Sequence, residues 1–133
     1  MITFLYNDNF LKEFKKLSKK YRSLQEDFNV FQLALQVNPV GYEPNIVQIA
    51  WLWDEIILPF YKVRKFPLTC MKLANSGIRI VYAYDSKSGK IEFIEFVEVY
   101  HKNDKDNHDT TFIRDCYSGL ESLNGRENTD SSE

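Results

Sequence analysis

Five cations and no carboxylate fall within residues 56–84: Lys62, Arg64, Lys65, Lys72 and Arg79. Cations held together on neighbouring strands need an anion, and phosphate is the natural one. Lys72 precedes the turn-forming run Asn75-Ser76-Gly77 and Arg79 follows it, so a hairpin across that run would bring the two together. Lys62 and Arg64 share one strand face by the period of two. Both histidines, His101 and His108, lie in the polar segment HKNDKDNHD, together with Lys102 and Lys105. Each feature has a plainer reading beside this one. Edge strands carry lysines to block aggregation, and loop histidines are commonly just solvated. The two histidines with nearby Asp would also make a sparse metal site. Tyr61, Tyr82, Tyr84 and Tyr100 suit base stacking, and they suit a sheet core equally well.

Other chemistries have no footing. The chain contains no P-loop, GxGxxG, HExxH, GxSxG or CxxC pattern. Cys70 and Cys116 are too few for a disulfide framework or a cysteine-rich zinc site, and neither has a neighbouring His or cationic helix end that would activate it. Cys70 reads as strand packing and Cys116 as a helix residue. No metal and no cofactor is expected. The opening residues, MITFLYNDNF, lack the basic start and long apolar run of a secretory signal. No apolar run is long enough to span a bilayer. The cytoplasm is therefore the expected compartment, with no membrane partner.

The elements that must position these residues follow from periodicity. Residues 2–6 read as a short strand, with Asn7 or Asp8 capping a helix. Phe10, Phe14, Leu17 and Tyr21 fall on one helical face, and Lys12, Lys15, Lys16, Lys19 and Lys20 fall largely off it. That lysine stripe is a solvated face or a secondary contact with an RNA backbone. Ser23 and Glu26 have the spacing of a capping box, and Leu24, Phe28, Phe31 and Leu35 continue a second helix to Asn38-Pro39. A link of about three residues makes the two helices an antiparallel hairpin. Gly41 and Pro44 mark turns, and residues 46–58 suit a strand, a buried segment or a short helix. Strands are predicted over residues 60–66, interrupted by Pro67, then 77–85 and 90–100, the last two joined by a turn at 86–89. Residues 110–120 form a final short helix capped by Asp109 or Thr110. The order predicts an α+β fold, with an N-terminal strand and helical hairpin on a mostly antiparallel sheet of about four strands.

Net charge is −2 for 133 residues. Residues 119–133 carry four acidic groups and one Arg, a balance of −3, which leaves +1 for the rest. An RNA-binding edge is therefore compatible with an acidic chain. With aromatics at 15%, the core and any contact surface draw on the same residue types.

Three segments resemble the RelE/ParE superfamily of type II toxin–antitoxin toxins, nearest its RelE/HigB-like ribonuclease branch. They are FLKEFKKLSKKYRSLQEDF (residues 10–28), YKVRKF with KLANSGIRIVYAYD (residues 61–85) and EVYHKNDKDNHD (residues 98–109). The resemblance implies a toxin domain over residues 1–120, and the Ser, Asn, Gly and acid-rich composition of residues 121–133 predicts a disordered acidic tail. It implies entry into the ribosomal A site and cleavage of mRNA by attack of a ribose 2′-hydroxyl on the adjacent phosphate, without metal. Lys72 and Arg79 match the family's Lys–turn–Arg strand pair and would stabilise the phosphorane, while His101 or Lys105 would transfer a proton. Lys62, Arg64, Lys65, Lys102 and Tyr82 would contact RNA. The expected arrangement is convergence of these groups at one sheet edge. The pattern is thinned: Cys70 stands where a second lysine belongs and Asn103 where an arginine belongs. Tyr117 is only a neighbour in sequence of the family's C-terminal tyrosine. Expected partners are a cognate antitoxin, the ribosome and mRNA, with no small-molecule cofactor. The antitoxin would dock on the helical hairpin or residues 46–58, both of which suit core packing equally. Two alternatives share the fold: a ParE-like inhibitor of DNA gyrase, and an inactive toxin-fold binding protein.

Overall fold

The computed structural model describes residues 1–50, 52–86 and 90–126. The elements in chain order are β1 (Ile2–Tyr6), α1 (Asp8–Lys20), α2 (Leu24–Val37), β2 (Ile46–Gln48), β3 (Phe60–Val63), β4 (Ile78–Asp85), β5 (Glu92–His101) and α3 (Thr110–Tyr117). The strands form one sheet in the order β1-β5-β4-β3-β2. β1 runs parallel to β5 and every other pairing is antiparallel. The fold is the expected α+β arrangement with five strands in place of about four. The added strand is β2, whose apolar segment the sequence left open between strand, helix and buried loop.

Both faces of the sheet are covered. The α1–α2 hairpin buries Phe10, Phe14, Leu24, Phe28 and Leu35 against Ile80, Tyr82, Ile94, Phe96 and Val99. Phe96 is the hub of this layer, with the rings of Phe4, Tyr6, Phe10, Phe28 and Tyr82 at 4.9–6.0 Å. The high aromatic content therefore goes largely into the core. On the opposite face α3 packs Ile113 and Tyr117, with Leu123, over Phe60, Val81, Ala83 and Val97. The ordered domain continues past residue 120. Leu123 is fully buried, and the Arg126 guanidinium makes two hydrogen bonds to the Glu95 carboxylate, which also accepts the Tyr117 hydroxyl. That corrects the expectation of a disordered tail from residue 121. The expected turn at residues 87–89 and the tail at 127–133 lie outside the described residues.

Helix starts follow local chemistry. The Asn7 side chain accepts the Asn9 amide at 2.8 Å, and Asp109 accepts the Phe112 amide at 3.0 Å. Ser23 departs from the expected capping box. It sits in helical geometry with no side-chain cap, and its hydroxyl instead donates to Asp27 at 2.7 Å and accepts the Cys70 amide at 2.9 Å. Asp27, 8% exposed, also accepts the Thr69 amide and hydroxyl at 2.9 and 3.0 Å. Tertiary partners outcompete the local cap because the buried carboxylate must be satisfied. This network fastens the loop after β3 to the helical hairpin. Asp27→Ala should cost about 2–3 kcal/mol in urea unfolding, since the Thr69 and Cys70 loop loses its charged acceptor.

Candidate phosphate-binding edge

A β-bulge decides which side chains meet. Val81 pairs with Glu98, but the next residue, Tyr82, pairs with Phe96, so β5 carries Val97 as an extra residue. Ile94, Phe96 and Val99 therefore face the helical hairpin, while Phe93, Val97 and Tyr100 face α3. Glu98 lies on the α3 face as well, ion-paired to Lys105 and accepting the Asp109 amide.

Lys62, Arg64 and Arg79 come together on that face. Arg64 directly follows β3, and the Arg79 guanidinium reaches across to its carbonyl at 2.8 Å. The Lys62 ammonium donates to the Asn107 side chain at 2.5 Å. Burial first, and then the charges of Arg64 and Arg79, push the Lys62 ammonium below the usual lysine range, against the opposing pull of Glu98. Among the described residues none of these three cations is in an ion pair. Lys105 stands nearby, with its ammonium 5.3 Å from the centre of the Tyr100 ring. Burial, reinforced by Glu98, pushes the Tyr100 hydroxyl up to about 12, so it stays protonated and able to donate. His108 completes the group. Burial and the charges of Lys62 and Lys105 push its imidazole down to about 4.

Other predicted residues lie elsewhere. Lys72 is not on a strand: residues 69–71 form a single 3-10 turn, closed by a bridge between Leu68 and Leu73. Lys72 ends that turn in left-handed geometry with φ 55°. The hairpin register that would have set it beside Arg79 does not form, because Pro67 has no amide hydrogen to give a ladder and Ser76 ties off Phe66. His101 pairs with Ile78 while Arg79 pairs with Tyr100, so Arg79 and His101 point to opposite faces. The convergence of Lys72, Arg79 and His101 is thus corrected. His101 stacks on Tyr21, its Nε2 lies 3.0 Å from the Ser76 carbonyl, and its Nδ1 accepts the Asn103 amide at 3.0 Å. These two backbone contacts require the neutral Nε2–H form and occupy both nitrogens. Gly77 makes room for this ring: with φ +89°, an added Cβ would lie 2.9 Å from His101 Nε2.

Lys102 is exposed beyond the end of β5, with its amide on the Gly77 carbonyl. Lys65 lines a groove of about 190 Å³ beside α2 and β2. Tyr82 was expected to touch RNA, but it is fully buried and its hydroxyl donates to the Pro39 carbonyl at 2.7 Å. Glu98, Asn107 and His108 had no place in the expected site. No sequence signal singles out Glu98, because Phe93-Ile94, Phe96-Val97 and Val99-Tyr100 are all adjacent apolar pairs and none of them alone marks the bulge.

The chain matches no protein-family model, no curated protein and no solved structure with which it was compared. No helix among the described residues is long and apolar enough to cross a membrane. Tyr82→Phe should lower stability by about 1 kcal/mol in urea unfolding, by loss of one hydrogen bond.

Proposed function

We propose that this chain is a RelE/HigB-like toxin of a type II toxin–antitoxin module, a ribosome-dependent endoribonuclease that inhibits translation. One observation carries the reading: Lys62, Arg64 and Arg79 are held side by side at one end of β3 and β4, on the α3 face, and among the described residues no carboxylate forms an ion pair with them. Cations concentrated in this way need an anion, and a phosphodiester matches them in charge and geometry. The cut is metal-free attack of the 2′-hydroxyl on the neighbouring phosphate. Arg64 and Arg79 hold the non-bridging oxygens as charge accumulates on them. Lys65 and Lys102 lie along the chain from this edge and would contact the RNA backbone.

An inactive toxin-fold binding protein is the second reading. It is favoured by the distance in the fold between the cationic edge and two of the expected groups, Lys72 and His101. Growth assays and cleavage in a translating extract separate the readings. Wild-type protein expressed without antitoxin should arrest growth and cut mRNA. Arg64→Ala with Arg79→Ala should reduce cleavage by about 10²–10³-fold per lost phosphate contact, whereas Lys72→Ala should stay within about tenfold. Full toxicity in the double variant, or inhibition of gyrase supercoiling without RNA cleavage, sinks the ribonuclease reading.

The antitoxin is proposed to dock on the outer face of α2. Residues 28–42 contain no charged side chain, yet Val30, Leu33 and Val37 are 63%, 69% and 86% exposed. An apolar segment of the antitoxin would cover this stripe and the groove beside it. Leu33→Glu with Val37→Glu should preserve growth arrest and abolish its reversal by coexpressed antitoxin, read as colony formation.

A further inference from the structure

His108 and Lys62 are joined through one side chain. The Asn107 carbonyl oxygen accepts the Lys62 ammonium at 2.5 Å and the His108 amide at 3.0 Å. Asn107 therefore holds the ammonium beside the backbone of His108. The imidazole is half-buried, and its Nδ1 is fully enclosed with no hydrogen-bond partner among the described residues. With Nδ1 enclosed, Nε2 is the nitrogen left to meet a substrate. The charged groups acting on the ring are Lys62 from β3, and Lys105 and Asp109 from the loop before α3. Glu98 of β5 holds Lys105 and the Asp109 backbone in place. This contrasts with His101, whose two nitrogens are both engaged by backbone groups on the other face of the sheet.

We propose that His108 is the proton acceptor and Lys62 the proton donor of the RNA-cleaving edge; the assignment rests on the ribonuclease reading above. Nε2 of neutral His108 takes the proton of the 2′-hydroxyl. The O2′–P bond forms as the P–O5′ bond breaks. The departing O5′ takes a proton from the Lys62 ammonium, leaving a 2′,3′-cyclic phosphate and a 5′-hydroxyl. Water then returns the imidazolium and the neutral amine to their starting forms. The site suits these roles in both directions. Burial, and then the neighbouring cations, disfavour the protonated form of His108 in the free protein, and the same two causes make Lys62 a stronger acid than an isolated lysine. A bound phosphate offsets the cationic charge, so it raises the basicity of His108 at the moment a base is needed.

Cleavage of mRNA in a translating extract tests the assignment. His108→Ala should lower the cleavage rate by about 10²–10⁴-fold, the usual worth of a positioned acid or base. The variant should bind RNA as wild type does, and added imidazole should restore part of the rate, which a merely structural role would not allow. A second measurement uses the full chain without ribosomes. In an NMR titration the His108 ring should titrate at about 4, and inorganic phosphate should move that midpoint upward. Wild-type cleavage in the His108→Ala protein overturns this assignment and leaves the ribonuclease reading standing. So does imidazole rescue of His101→Gln in its place. Absence of any cleavage by the wild-type protein overturns both.

Discussion

The single extra residue in β5 governs the layout of the molecule. Strict alternation from Ile94 and Phe96 would carry Glu98 and Tyr100 into the aromatic layer under the helical hairpin. The carboxylate would then be buried among rings with nothing to pair it, at a cost of several kcal/mol. Inserting Val97 reverses the parity. Val99 fills the hairpin core, and Glu98 turns to the α3 face, where Lys105 and the Asp109 amide satisfy it. The segment after β5 is thereby pulled over the same face as Lys62, Arg64 and Arg79. His101, one residue beyond Tyr100, goes the other way and becomes a clip between the strand end and the loop at Ser76.

Buried carboxylates also explain how an acidic chain keeps a cationic edge. Asp27, Asp85, Glu95 and Glu98 are each under 9% exposed and are bound by groups within the fold. They count fully in the net charge of −2, yet each is bound by donors within the fold, and of the four only Glu98 is among the charges acting on Lys62. What a ligand meets near β3 and β4 is the unpaired set. Net charge therefore understates the attraction this edge holds for an anion, because potential depends on where charges sit as well as on their sum.

The elements set by one dominant periodicity are legible in the sequence alone. β1, α1 and α2 begin and end close to where apolar spacing, Asn7 and Asn38-Pro39 place them. Both central strands are recognisable from their β-branched and aromatic residues. What failed depended on contacts distant in sequence. Ser23 looked like a cap because Glu26 follows at the right spacing, but Cys70 and Thr69, more than forty residues away, claim the network. The turn-forming run after Lys72 favours a strand at that residue. Pro67 and the Leu68–Leu73 bridge convert that stretch into a loop. The site inherited these errors, since its expected convergence assumed an unbroken ladder and no bulge. Tyr82 shows the same limit, because period two puts it opposite Arg79 but does not say that it is enclosed.

The pairing of β1 with β5 carries a consequence for the order in which the molecule takes shape. Ile2 sits opposite Glu92 and Tyr6 opposite Phe96, so the first strand has no hydrogen-bonding neighbour until the last strand exists. During synthesis the α1–α2 hairpin emerges early, with Phe10, Phe14 and Phe28 able to meet one another but without the sheet they pack on, because Phe96 is still to be made. Closing a loop of that span costs entropy before any ladder bond repays it. The cationic edge, which needs β3, β4 and the segment after β5 together, is assembled at the end of this sequence of events. A nascent chain thus passes most of its synthesis without the surface on which its proposed action depends.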